Sequence, residues 1–349
     1  MKEFDYIIVG QGISGTLLSR CLIEAGKKLI VFDNNYKYAA SRVAGGVINP
    51  VTGKRWVCSW MIDELMPYAE TTYRELENEL NCSLLKKLPM LCFFSTTELQ
   101  NIFDKRIPNT PKYLQTYNED TKWENYFNFQ HGMGCVSPCM IVDAKRLLIA
   151  FRNRLIEQKI LIEHPFNWAD CKIETDKVVY KDLVADKIIC CEGADAMYHN
   201  PYFSKLSWMK DKGECLWLSI PGLPEEYIYK GEIGIVPQGN GLFWVGASHN
   251  WNFKDLLPSE GFKQNTIIIL DKWLKLPYTI IEHFAAQRPA NASRKPFAGW
   301  HPEYPSLGIF NGMGGKGWSM PPYFANHFAQ NILSGTSLIE DIDVSKMLS

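Results

Sequence analysis

Apolar positions first gather at Tyr6-Ile7-Ile8-Val9, a continuous run of strand type that ends at Gly10. After a short turn, Ile13, Leu17, Leu18, Cys21 and Leu22 recur at helical spacing, and the pattern stops near Ala25-Gly26. A second apolar run, Leu29-Ile30-Val31-Phe32, ends at Asp33. Strand, tight turn, helix and strand thus follow one another within the first 33 residues. A right-handed helical crossover returns the chain beside its first strand, so the pattern predicts the opening of a parallel sheet.

Further along, Leu65, Tyr68, Ala69, Thr72, Tyr73, Leu76 and Leu80 predict one long amphipathic helix over residues 63–80. A second helix runs through Leu147, Leu148, Phe151 and Leu155, with Asp143 as its expected N-cap. The stretch from Leu183 to Cys191 contains a strand closed by Gly193. Between Trp208 and His283, short runs such as Glu214-Cys215-Leu216-Trp217-Leu218 and Leu242-Phe243-Trp244-Val245-Gly246 alternate with turn residues and predict an antiparallel sheet. Leu307-Gly308-Ile309-Phe310, a glycine-rich turn and a helix through Phe324, Phe328 and Ile332 then repeat the N-terminal plan. A chain of 349 residues exceeds one ordinary core. The expected fold class is α/β, α+β overall. A Rossmann-like domain is assembled from discontinuous segments 1–60, 140–205 and 284–349, and an antiparallel-sheet substrate domain from 61–139 and 206–283.

Composition narrows the functional classes. Hydrophobic residues make up 46% and charged residues 21%, an ordinary globular balance. A formal net charge of -1 supplies no global basic field, which argues against a nucleic-acid partner. The N-terminus has no signal-peptide pattern, and no apolar run approaches the roughly 20 residues that span a bilayer. A cytoplasmic protein without a membrane association is expected. None of the 10 cysteines sits in a CxxC pair, so no metal site is expected. Cys135 and Cys139 come nearest to a shared site or disulfide, and the simpler reading is reduced, partly buried thiols.

The chemistry begins at Gly10-Gln11-Gly12-Ile13-Ser14-Gly15. In such a turn the first glycine permits the tight bend, the second lets a pyrophosphate approach the backbone, and the third permits close helix packing. N–H groups at the helix start face the anion. Asp33, with Asn34 beside it, ends the second strand where a carboxylate accepts from a ribose hydroxyl and repels a 2′-phosphate. This fingerprint suits NAD and FAD equally. No serine-nucleophile elbow, P-loop, HExxH or paired-carboxylate motif stands beside it.

Other segments separate the two cofactors. Ser41-Arg42-Val43-Ala44-Gly45-Gly46-Val47-Ile48-Asn49-Pro50 resembles the flavin-contacting loop of the D-amino-acid oxidase, glycine oxidase and sarcosine oxidase family. The resemblance extends over most of the chain, through Val142-Asp143, Asp186 to Gly193, Gly213, Val245-Gly246-Ala247, Gln287-Arg288-Pro289 and Pro296-Phe297-Ala298-Gly299. Asn311-Gly312-Met313-Gly314-Gly315-Lys316-Gly317 with Pro321-Pro322 looks especially like the oxidase domain of the bifunctional tRNA enzyme that makes methylaminomethyl-uridine.

The resemblance implies FAD as cofactor. Some members attach it through cysteine or histidine, but Arg42 to Gly46 and the C-terminal loop lack the residues for this, so non-covalent FAD is expected. The implied cofactor contacts are Gly10, Gly12, Ile13, Ser14, Gly15, Asp33, Asn34, Ser41, Arg42, Ala44, Gly45, Gly46, Phe166, Gly193, Arg288, Gly312, Gly314, Gly315, Lys316 and Gly317. Phe166 falls where members place a backbone contact to adenine, or it only packs. Lys316 and the N–H groups of its loop would stabilise negative charge on the reduced ring, against the alternative of a solvent-facing turn.

Arg288 either clamps a substrate carboxylate, which suits a planar guanidinium, or pairs with an internal carboxylate or backbone carbonyl. Lys316 and Arg288 are the expected catalytic-site residues. His249 either lines the substrate cavity or is packed or solvated. Ser293 and Gln287 depart from the family pattern near Arg288. The implied activity is oxidation of a C–N bond in a small-molecule amine or amino acid, with hydride passing to flavin N5. Oxidation of a modified tRNA nucleoside and a non-catalytic flavin sensor are the alternatives.

Overall fold

The structure, a computed structural model, describes residues 2–117 and 119–348. The chain forms two compact units, one of Met1–Arg42, Ala144–Asp211 and Gln287–Ser349, the other of Val43–Asp143 and Lys212–Ala286. The first crossing was expected at residue 60 and comes earlier. Val47 and Ile48 already pair antiparallel with Ile141 and Met140, which ties this segment to the second unit's sheet.

In the first unit, strand β1 (Lys2–Val9), helix α1 (Ile13–Glu24) and strand β2 (Leu29–Phe32) realise the opening pattern. Strand β1 lies parallel between β2 and Leu183–Cys190, and Leu307–Asn311 pairs parallel with the latter. These belong to an eight-stranded sheet. All four residues of β2 are buried, as expected for a parallel strand covered on both faces. Ile7, Val9, Phe32, Tyr180, Ile188, Phe297 and Ile309 form one core of the unit. Helix α1 buries Leu17, Leu18 and Leu22 and lies beside Pro321–Ser334, whose Phe324 and Phe328 are buried.

The turn between β1 and α1 has no room for side chains. A Cβ on Gly15 would stand 1.8 Å from the Gly10 carbonyl oxygen, and one on Gly10, at φ +100°, would stand 2.4 Å from the Cys191 carbonyl oxygen. Helix and strand therefore meet backbone to backbone.

The second unit is built on a nine-stranded sheet. The expected antiparallel pairing holds for Trp208–Ser219 with Leu242–Gly246 and for Leu85–Phe93 with Met133–Val142. Ile228–Lys230, however, runs parallel to Leu85–Phe93, an arrangement that needs a long connection and has one in the intervening chain. Leu91, Phe93, Phe127, Tyr229, Phe243 and Trp273 form its core. The long helix spans Ile62–Leu80 and buries Leu65, Ala69, Tyr73 and Leu76. Cys135 and Cys139 are buried, and the Cys139 thiol donates to the Val136 carbonyl at 3.6 Å. Among the described residues, no helix is long and apolar enough to cross a membrane, and no group of three or more His, Cys, Asp or Glu is placed to hold a metal ion.

Gly15→Ala should lower stability by about 1–3 kcal/mol, because the methyl must displace backbone rather than a flexible side chain. Gly261→Ala, which meets nothing within 4 Å, should change it by less than about 1 kcal/mol. Urea midpoints of the two variants against the parent check the difference.

Candidate dinucleotide site

Gly12, unlike its two partners, faces open space: a Cβ there would meet only the Ser41 hydroxyl, at 3.3 Å. It is the N-cap of α1 and offers no side-chain cap, while the Ile13 N–H donates to Ser41 Oγ at 3.1 Å. Ser14 and Gly15 follow, both buried. The helix thus presents the positive end of its dipole behind a residue without a side chain, the arrangement that receives an anion.

A buried guanidinium holds the two strand ends together. Arg152, with a side chain only 5% exposed, donates from Nη1 to Asp33 Oδ1 at 2.6 Å and from Nη2 to Glu163 Oε1 at 2.9 Å. It also donates to Gln11 Oε1 at 3.2 Å and to the Asp33 carbonyl at 3.3 Å. Gln11 is itself buried, donating from its amide to Thr16 Oγ1 at 3.0 Å and from its backbone N–H to Asp33 Oδ2 at 2.9 Å. Asp33 therefore accepts from Arg152, from Gln11 and, at 2.8 Å, from the Asn35 N–H. A carboxylate has about four acceptor positions, so capacity for a ribose hydroxyl remains. Asn34 accepts from the Tyr36 N–H at 3.2 Å. Sequence reasoning missed Gln11 and Arg152. The available signal was a charged residue one position after Phe151 and four after Leu148, on the buried face of helix Ala144–Glu157.

Arg42 closes the same side. Burial is the largest influence on its guanidinium and lowers its pKa, while the charge of Asp33 acts in the opposite direction. Its Nη2 is buried with no hydrogen-bond partner among the described residues. A buried guanidinium nitrogen left without an acceptor costs free energy unless an anion meets it. Gly12, the α1 N-terminus, Ser41 and Arg42 together fit a pyrophosphate.

Phe166 stacks on Tyr180 with ring centroids 4.2 Å apart and meets Phe32 edge-on at 5.4 Å, so its side chain packs. Gly193 offers its carbonyl to Asn311 Nδ2 at 3.0 Å, joining the end of Leu183–Cys190 to the end of Leu307–Asn311. The following loop carries Gly312 at φ +80°, accepting at its carbonyl from Asn291 Nδ2 at 3.1 Å, then a 3-10 turn over Gly314–Lys316. Gly315 has nothing within 4 Å of a built Cβ, and Gly317 has only Ile13 Cγ2, at 3.9 Å. The C-terminal glycine loop and the start of α1, some 300 residues apart in sequence, are thereby brought together.

Arg288 lies in the same unit, and its Nη1 donates to Asp211 Oδ1 at 3.0 Å. The neighbouring Gln287 accepts from the Tyr198 hydroxyl at 3.0 Å, and Ser293 donates to Asn291 Oδ1 at 2.9 Å. Ala44, Gly45 and Gly46 belong to the second unit. There a Cβ on Gly45 would press on Trp244 at 2.7 Å and one on Gly46 on the Val142 carbonyl at 1.9 Å, so close packing alone requires both glycines. His249 is exposed in that unit, beyond Leu242–Gly246.

Glu192, before Gly193, accepts from Trp168 Nε1 at 2.8 Å and from Asn200 Nδ2 at 2.7 Å, and burial pushes its pKa up to about 7. The folded protein then keeps a proton that the unfolded chain releases near its ordinary value of 4.5. Stability should accordingly fall as pH rises from that value to about 7, by up to about 3 kcal/mol. Glu192→Gln should flatten this slope, read as melting temperature between pH 5 and 8. Arg152→Ala should cost about 3 kcal/mol by leaving the largely buried Asp33 carboxylate without its cation, and should weaken FAD retention in the protein that remains folded. Denaturant melts and FAD titration measure the two effects separately.

Comparison with known proteins matches residues 5–331 to the family described as DAO, FAD dependent oxidoreductase. Glycine oxidase from Geobacillus kaustophilus has a TM-score of 0.84 at 17% identity, covering 99% of this chain and 99% of that one. L-proline dehydrogenase from P. horikoshii has a TM-score of 0.75 at 15% identity, covering 99% and 98%. L-alpha-glycerophosphate oxidase from Mycoplasma pneumoniae, determined with FAD bound, has a TM-score of 0.73 at 14% identity, covering 95% of each chain. At such identities these likenesses concern the fold, and the family match spans nearly the whole sequence. The chain belongs to the DAO family of FAD dependent oxidoreductases.

Proposed function

We propose that this protein oxidises a C–N bond of a small amine or amino acid. The observation that carries the reading is the meeting of the C-terminal glycine loop with the start of α1, where Gly317 approaches Ile13 within one unit. FAD, bound non-covalently, would supply the two-electron acceptor for a hydride leaving the substrate's α-carbon, with a proton lost from its nitrogen.

The protein's own residues bind and orient. Gly12, Ser41, Arg42 and the N–H groups of Ser14 and Gly15 would hold the pyrophosphate, and Asp33 with Asn34 would take the adenosine ribose. Phe166 and Gly193 border the adenosine half. Lys316, with the backbone N–H groups of Gly314, Gly315 and Gly317, would place positive charge where the reduced cofactor becomes negative. Arg288 would face the substrate. Substrate alignment is the main contribution, so no dedicated acid or base is assigned.

The purified protein should be yellow and release FAD on acid treatment. Mixed anaerobically with a panel of amines and amino acids, its visible flavin band should bleach with at least one of them. A colourless protein that takes up no FAD, or a flavin that photoreduction bleaches while the whole panel leaves it oxidised, overturns the proposal.

A further inference from the structure

The Arg288–Asp211 pair bears on which amine is used. Arg288 sits on strand Thr279–Asn291 and Asp211 on the neighbouring strand Trp208–Ser219. The two are joined Nη1 to Oδ1 at 3.0 Å, with side chains 16% and 8% exposed. Neither group is a solvated surface charge free to swing away. The adjacent Gln287 is fixed as well, accepting from Tyr198 Oη at 3.0 Å and donating to Met197 Sδ at 3.2 Å. The strand segment that presents Arg288 is therefore held in place by polar contacts within its own unit.

A guanidinium that receives a substrate carboxylate must offer that anion a net positive field. Here the chain supplies the anion itself. A second carboxylate reaching Arg288 would either displace Asp211, losing a 3.0 Å ion pair in a nearly buried setting, or share the guanidinium with it and meet like-charge repulsion at short range. A substrate whose polar group is neutral suffers neither penalty and can still accept from a guanidinium N–H.

We infer that Asp211 is a specificity-determining residue: by neutralising Arg288 it selects amines that carry an uncharged group at the position Arg288 reaches, and disfavours free α-amino acids. This rests on the reading that Arg288 faces the substrate of a C–N oxidising site.

Matched probes that differ only in charge test it: glycine against glycinamide, and L-proline against L-prolinamide. With the FAD-loaded protein under anaerobic conditions, the amide of at least one pair should bleach the flavin about tenfold faster than the acid or more. In Asp211→Asn, that ratio should move toward the acid by about tenfold or more.

A second readout needs no turnover. Acetate and acetamide are titrated against the visible flavin band to obtain Kd values. Acetate should bind about tenfold tighter to Asp211→Asn than to the parent, acetamide should be unchanged, and the double variant D211N/R288Q should return acetate to parental affinity. The inference is overturned if the parent prefers the acids, if D211N leaves acetate affinity unchanged, or if the double variant binds acetate as tightly as D211N. Bleaching by none of the four amines, with the acetate shift present, would count against the proposed activity while leaving the charge assignment standing.

Discussion

The Gly10 carbonyl oxygen occupies the place where a side chain at Gly15 would begin, with 1.8 Å between it and a built Cβ. Because β1 and α1 meet there without side chains between them, the helix starts directly at the carboxyl end of the sheet. Its uncapped N–H groups then open beside the end of β2 and beside Ser41. The Cys191 carbonyl, just past the end of the neighbouring strand, fixes the third side of the same turn, 2.4 Å from where a Cβ on Gly10 would stand. The cofactor cradle follows from this close contact of three backbones, and any side chain in it would move the helix away from the strand ends.

Bringing these segments together also concentrates charge. Asp33 and Glu163 both meet one guanidinium, that of Arg152. It is buried where desolvation is costly, yet it donates to two carboxylates, an amide oxygen and a carbonyl, so its donors are well used. Arg42 differs in that one of its nitrogens is left without an acceptor. The first unit therefore separates a guanidinium that organises the loop from one that is set to receive an anion. Asp211 and Arg288 form a third arrangement, in which positive charge near the proposed reaction centre is cancelled by the chain itself.

The structural relatives make the same division between framework and specificity. A glycine oxidase, a proline dehydrogenase and a glycerophosphate oxidase share this fold at 17%, 15% and 14% identity, and their names span more than one kind of bond. The fold thus supplies a place for the flavin, and side chains outside the glycine turns choose what reaches it. On the proposed reading, Gly12, Ser41 and Arg42 belong to the framework, and Asp211 and Arg288 to the choice.

Much of the framework was legible in the sequence, because strand and helix periodicity and the need for glycine at close contacts are local properties. The run Tyr6 to Val9, the turn Gly10 to Gly15 and the strand ending at Asp33 could be placed from spacing alone, and the loop Gly312 to Gly317 from its resemblance. Other features depended on residues far apart along the chain. Arg152 and Asp33 are separated by 119 positions and Arg288 and Asp211 by 77, so no periodicity connects them. Ala44, Gly45 and Gly46 read as a flavin loop, while the structure adds a packing reason for two of them against Trp244 and Val142. The sequence by itself determined the βαβ opening, the family and the cofactor class, since these rest on backbone geometry and short motifs. Only the tertiary structure decided which charges meet, because a side chain's partner is set by the packing of distant strands and not by its neighbours in the chain.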